Sequence, residues 1–118
     1  MRADNLILNK TFQLGLRIIK LYIYLRDKRV DRVLTAQLLR SGTSIGANTE
    51  EAMGGSSKKD FIQKLRIAYR ETRETKYWIR LLKESDLLEQ KLADSLIVDC
   101  DEILKILTAI INASKSKA

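Results

Sequence analysis

Between residues 61 and 82 the positions Phe61, Leu65, Ala68, Thr72, Thr75, Ile79 and Leu82 recur at alternating steps of four and three. A 3.5-residue repeat held this long is the pattern of long helices packed nearly parallel. Ser57 and Asp60 precede it with the [ST]-x-x-[DE] spacing of a capping box, which marks a helix start. The same logic predicts a last helix with Ala93, Leu96, Cys100, Ile103, Leu107 and Ile110 on one face. A second helix carries Leu34, Leu38, Ser41, Ile45, Asn48 and Ala52, with Asp31 as its N-cap. A first helix carries Phe12, Leu16, Ile19 and Ile23. No segment sustains strand-like alternation. The pattern predicts helices over about residues 5–26, 31–53, 57–84 and 88–112.

The breaks between them are short. The charged cluster at residues 26–29 ends the first helix. Gly54 and Gly55 offer a left-handed residue to stop the second, Ser85-Asp86 opens the last break, and residues 114–118 read as a frayed tail. Connections this short force each helix to reverse on its predecessor. The expected fold is therefore all-α: one domain over residues 1–118, an up-down-up-down antiparallel four-helix bundle. Ser41, Asn48, Thr72 and Thr75 interrupt two facing seams at similar depth and are expected to fix register, Asn48 above all. Gly42 and Gly46, four apart, permit close helix approach. Ile18, Ile67, Trp78 and Leu81 lie off the seams and are expected to be covered by a neighbouring molecule.

Composition narrows the chemistry. The 118 residues include no His, no Pro and one Cys. Without His or a second Cys, the common ligands of zinc and the common general base are missing, and no Gly-rich phosphate loop is present. The expectation is a protein that is not an enzyme and needs no cofactor or metal. Residues 1–10 hold no apolar signal core, and no apolar run reaches the length of about 18 residues that would span a membrane. A soluble cytoplasmic protein with no membrane partner is expected. The formal charge is +7, unevenly spread: residues 1–80 carry 17 Lys and Arg against 8 Asp and Glu, and residues 81–118 carry 5 against 7.

That excess is organised. Lys59, Gln63, Arg66, Arg70, Arg73, Tyr77 and Arg80 repeat the spacing of the third seam from two positions earlier, about 200° round the helix at 3.6 residues per turn. Lys59, Arg66, Arg70, Arg73, Tyr77 and Arg80 are the candidate nucleic-acid-binding residues. Guanidinium groups fork onto phosphates and a tyrosine ring stacks on an unpaired base. The alternative is a solvated face that meets a protein partner or the acidic last helix of another protomer. Glu71 and Glu74 flank the seam. They read as ion-pair partners of Arg40, Lys20 or another protomer's arginine, since bundle di-metal sites use Glu-x-x-His. Cys100 reads as an inert core residue.

The segments QLLRSGTSIGAN (37–48), Glu51-Ala52, SKKDF (57–61) and ETRETKYW (71–78) together resemble the four helix bundle protein family, also called the 23S rRNA intervening-sequence or S23 family. The resemblance covers about residues 8–112, with Thr49 standing where the family usually has Ile. It implies a bundle that assembles into a ring-shaped homopentamer, encoded in insertions within bacterial 23S rRNA genes or elsewhere in bacterial genomes. A similar bundle is the accessory protein of diversity-generating retroelements, where it binds nucleic acid and a reverse transcriptase. The family has no established catalytic residues, so the resemblance supplies none.

Overall fold

The computed structural model describes residues 2–116 and consists of four helices: α1 (Arg2–Asp27), α2 (Arg32–Met53), α3 (Lys58–Glu84) and α4 (Gln90–Ser116). Each packs antiparallel to its neighbours in the cyclic order α1-α2-α3-α4, giving a rod of 49 × 22 × 18 Å. α1 begins earlier than the periodicity indicates. α4 begins two residues later and runs through the expected tail to Ser116, so only residues 117 and 118 of that tail lie outside the described residues.

Two helix starts follow their sequence signals. The Asp31 carboxylate accepts from the Val33 amide at 2.9 Å, and the Ser57 hydroxyl accepts from the Asp60 amide at 3.0 Å. Each satisfies an amide that the first turn leaves unpaired. The stop after α2 corrects the expectation at Gly54 and Gly55. No glycine has a positive φ, and Gly54 sits at φ −91°. A Cβ at Gly55 would lie 2.5 Å from the Asp60 carboxylate, which can swing aside, and 3.1 Å from the Ala52 carbonyl oxygen, a tight fit against backbone. The left-handed residues are Arg29 and Asp86, both at φ 61°. Val30 donates to the Leu25 carbonyl, and Leu87 donates to that of Leu82. These are the six-to-one bonds that close a Schellman turn, and they hold even without glycine at the left-handed position.

Leu65, Ala68, Thr72, Thr75, Ile79 and Leu82 of α3 are buried with Ala93, Leu96, Cys100, Ile103, Leu107 and Ile110 of α4, as their seams predict; Phe61 is half-buried at the edge. In α2 the buried line is displaced by one residue at two positions: Thr35 and Thr49 are enclosed where Leu34 and Asn48 were expected, while Leu38, Ser41, Ile45 and Ala52 are buried as expected. Asn48 is half-buried and donates to the Ser44 carbonyl of its own turn, 2.8 Å away, so it does not set register. The polar contact between seams is Ser41 with Thr75, whose hydroxyls hydrogen-bond at 2.9 Å. Thr49 donates back to Ile45 and Thr72 to Ala68. These bonds satisfy the buried hydroxyls, as the low-dielectric interior demands, and no buried side-chain polar atom among the described residues lacks a partner.

α1 overturns its expected seam. Ile7, Leu14, Ile18, Leu21 and Leu25 enter the core with Thr11, while Phe12, Leu16, Ile19 and Ile23 are 55%, 41%, 41% and 41% exposed. The two stripes lie about 150° apart at 3.6 residues per turn, so both fit helical periodicity and only one can face inward. Shape selects it. A Cβ on Gly42 would lie 2.6 Å from Ile18, and one on Gly46 would lie 3.4 Å from the Thr11 carbonyl oxygen. The two glycines thus let the Ile18 stripe settle against the α2 backbone. Ile18, expected to be covered only by another molecule, is fully buried within its own.

Candidate nucleic-acid interface

The outward face of α3 follows from its inward one. With the seam in the core, Lys59, Arg66, Arg70, Arg73, Tyr77 and Arg80 are all exposed along a single line. At 1.5 Å per residue that line is about 32 Å long. Tyr77 is 50% exposed and its ring meets Trp78 edge-on, centroids 5.6 Å apart.

The distribution of ion pairs is more informative than the count of cations. Among the described residues Lys10 pairs with Glu102, and Arg17 with Asp99 at 2.6 Å. Lys76 pairs with Asp101 at 2.6 Å and Lys83 with Asp94 at 2.7 Å. Those four acids are the ones α4 carries, and each is already held by a cation of its own chain. Arg40 of α2 pairs with both Glu71 and Glu74, and Lys64 with Glu51. Lys59, Arg66, Arg70, Arg73 and Arg80 take part in none of these pairs. Other exposed cations, such as Lys20, Arg32 and Lys91, are also without an ion pair among the described residues, but these five share one face of one helix.

Glu71 and Glu74 act as the ion-pair partners of Arg40. The indole N–H of Trp78 donates to Glu74 at 3.0 Å. That hydrogen bond, with the Arg40 guanidinium, holds the Glu74 carboxyl below its ordinary range, and the carboxylates in turn raise Arg40. Glu74 therefore stays ionised under mildly acidic conditions and keeps the α2–α3 edge fastened. Cys100 is fully enclosed; burial, with Asp99 and Asp101 nearby, pushes its thiol up to about 12. A thiol so rarely ionised is a poor nucleophile. No cluster of three metal-ligating side chains occurs among the described residues, and no helix there is long and apolar enough to cross a membrane.

Three concavities lie end to end along the α3–α4 junction. The first, about 490 Å³, is bounded by Arg70, Arg73, Tyr77, Arg80 and Leu104, with Glu74 and Lys76 at its edge. The second, about 310 Å³, shares Arg70 and adds Arg66, Tyr69, Thr108, Ile111 and Asn112. The third, about 630 Å³, shares Arg66 and adds Lys58, Lys59, Ile62, Gln63 and Lys115. Together they make one trough with a cationic α3 wall. The α4 side of this trough is not visible in the α3 stripe alone. Its signal is that residues 103–116 contain Lys105 and Lys115 and no Asp or Glu, so no α4 acid lies alongside Lys59, Arg66 and Arg70.

No curated protein matches the chain significantly. A solved structure from Bacteroides thetaiotaomicron, described as a protein of unknown function from the S23 ribosomal protein family, is 41% identical. It covers 93% of this chain and 98% of its own, with a TM-score of 0.90. The family model for the 23S rRNA-intervening sequence protein matches residues 3–109. With nearly the whole chain matched in sequence and in the course of all four helices, the protein belongs to the 23S rRNA-intervening sequence protein family.

Proposed function

We propose that this protein is a non-enzymatic, homo-oligomeric bundle of the cytoplasm that binds RNA or DNA through the outer face of α3. The observation that carries the reading is a row of unpaired cations on one face: Lys59, Arg66, Arg70, Arg73 and Arg80 lack acidic partners among the described residues, while each of the four α4 acids is engaged by another cation of the chain. Five like charges in a row raise each other's electrostatic energy, and a polyanion that displaces its own counterions onto them is the natural complement.

The exposed stripe Phe12, Leu16, Ile19 and Ile23 supports the oligomeric part. It is a regular apolar line on a helix whose other face is already buried, the kind of surface that another protein covers. The resemblance to homopentameric bundles makes a closed ring of five the proposed assembly. A second reading keeps the ring but gives the basic face to a protein partner or a neighbouring protomer.

One variant separates the two. If phosphates are the ligand, the parent's affinity falls with salt at a log–log slope of about −3 to −4 for four arginines of one protomer. The double reversal Arg70→Glu/Arg73→Glu then abolishes binding while gel filtration shows the parent's mass. Loss of assembly in that variant, with no measurable nucleic-acid affinity in the parent, would establish the scaffold reading instead.

A further inference from the structure

The trough has a feature that phosphate contact does not require: an apolar, aromatic floor. Tyr69 and Ile111 line the same concavity as Arg66 and Arg70, Leu104 lines that of Arg73, and Ile62 lines that of Lys59. Tyr69 and Ile62 are half-buried, so each still presents surface to the trough. Thr108, whose hydroxyl donates to the Leu104 carbonyl at 2.8 Å, and Asn112 line the same concavity as Tyr69.

We infer that the ligand of this trough is a single strand, with its phosphates on the α3 arginines and its bases turned down onto the Tyr69–Ile111 floor. The inference rests on the nucleic-acid reading above and specifies it.

Three physical points favour the single strand. A groove between adjacent helices, whose axes lie about 8–10 Å apart, admits a base but is far narrower than a duplex. A duplex would rest on the rim and leave the floor empty. Its base faces are also stacked on one another, so an apolar floor gains nothing from it, whereas an unpaired strand has faces to bury. Finally, the cations form a straight row. The strands of a duplex wind around its axis and meet such a row only where they cross it, while a flexible single strand can follow it from Lys59 to Arg80. RNA and DNA single strands share this chemistry, since nothing in the recognition described uses the 2′-hydroxyl.

The test is a fluorescence anisotropy titration at one low salt concentration, using a labelled mixed-sequence RNA strand, the matching DNA strand and the DNA duplex. Both single strands are expected to bind at least about tenfold tighter than the duplex. Tyr77→Ala and Tyr69→Ala should each weaken single-strand binding by about 5- to 150-fold, with duplex binding unchanged. Tyr77 is half exposed, so its variant keeps the test valid if Tyr69→Ala unsettles the fold. Duplex binding as tight as single-strand binding, or tyrosine variants that leave single-strand affinity unchanged, would overturn the single-strand assignment. Provided Arg70→Glu/Arg73→Glu still abolishes duplex binding, that result would spare the broader phosphate reading. Absence of binding to all three probes by the parent would remove both.

Discussion

α1 and α3 are of nearly equal length, and each carries two regular stripes on nearly opposite faces. In α3 one stripe is apolar and the other cationic, so the inward face is decided by desolvation. Burying four arginines without partners costs far more than burying Leu65 and Ile79 gains. In α1 both stripes are apolar. Desolvation ranks Phe12, Leu16, Ile19 and Ile23 alongside Leu14, Ile18, Leu21 and Leu25, and the choice falls to shape. Chemistry therefore orients one helix, and packing against a particular pair of glycines orients the other.

The sharpest way to break this comparison uses adjacent residues of α1. Ile18→Ala removes side-chain volume from a fully buried site and should lower stability by about 2–5 kcal/mol, measured by denaturant unfolding at fixed protein concentration. Ile19→Asp, one residue along and 41% exposed, should retain the helical circular dichroism yet reduce the mass seen by light scattering to that of a monomer. An Ile19→Asp protein with the parent's mass would show that the outer stripe is not the protomer contact.

A smaller effect probes why Ile18 faces inward. Gly42→Ala would set a methyl 2.6 Å from the Ile18 side chain. Overpacking of this kind costs about 1–3 kcal/mol, partly offset by the roughly 1 kcal/mol by which alanine favours a helix over glycine. A modest net loss of stability is expected. It should be recovered when Ile18→Val is added, because the shorter side chain makes room. The smallest effect belongs to α3. Arg70→Glu/Arg73→Glu alters only exposed groups without ion-pair partners, so each change should move stability by no more than about 0.5 kcal/mol. A large loss would mean that those side chains support the bundle rather than a ligand.

The same contrast explains what could be read from the chain. The seams of α3 and α4, the caps at Asp31 and Ser57 and the outward arginines were legible because each depends on spacing within one element. The inner face of α1 was not, because Gly42 and Gly46 choose it from another helix. Asn48 and Thr49 sit one step apart near the boundary of the α2 seam, and a rotation of a few tens of degrees decides which is enclosed. The hydrogen bond from Asn48 to Ser44 can be seen only once that rotation is known. At the candidate site the cationic wall was visible, but the floor was not. Tyr69 and Ile111 belong to different helices, and only the antiparallel register of α3 and α4 brings them together.

That register also gives Cys100 a use as a clock. Its thiol lies fully enclosed on α4, is almost entirely protonated at neutral pH, and is the sole cysteine of the chain. A thiol reagent can reach it only when α4 parts from its neighbours, so the labelling rate counts those excursions. A strand spanning the α3–α4 trough would have to be released before the helices separate. Labelling should then slow in proportion to ligand occupancy, and a residue with no part in recognition would report the binding.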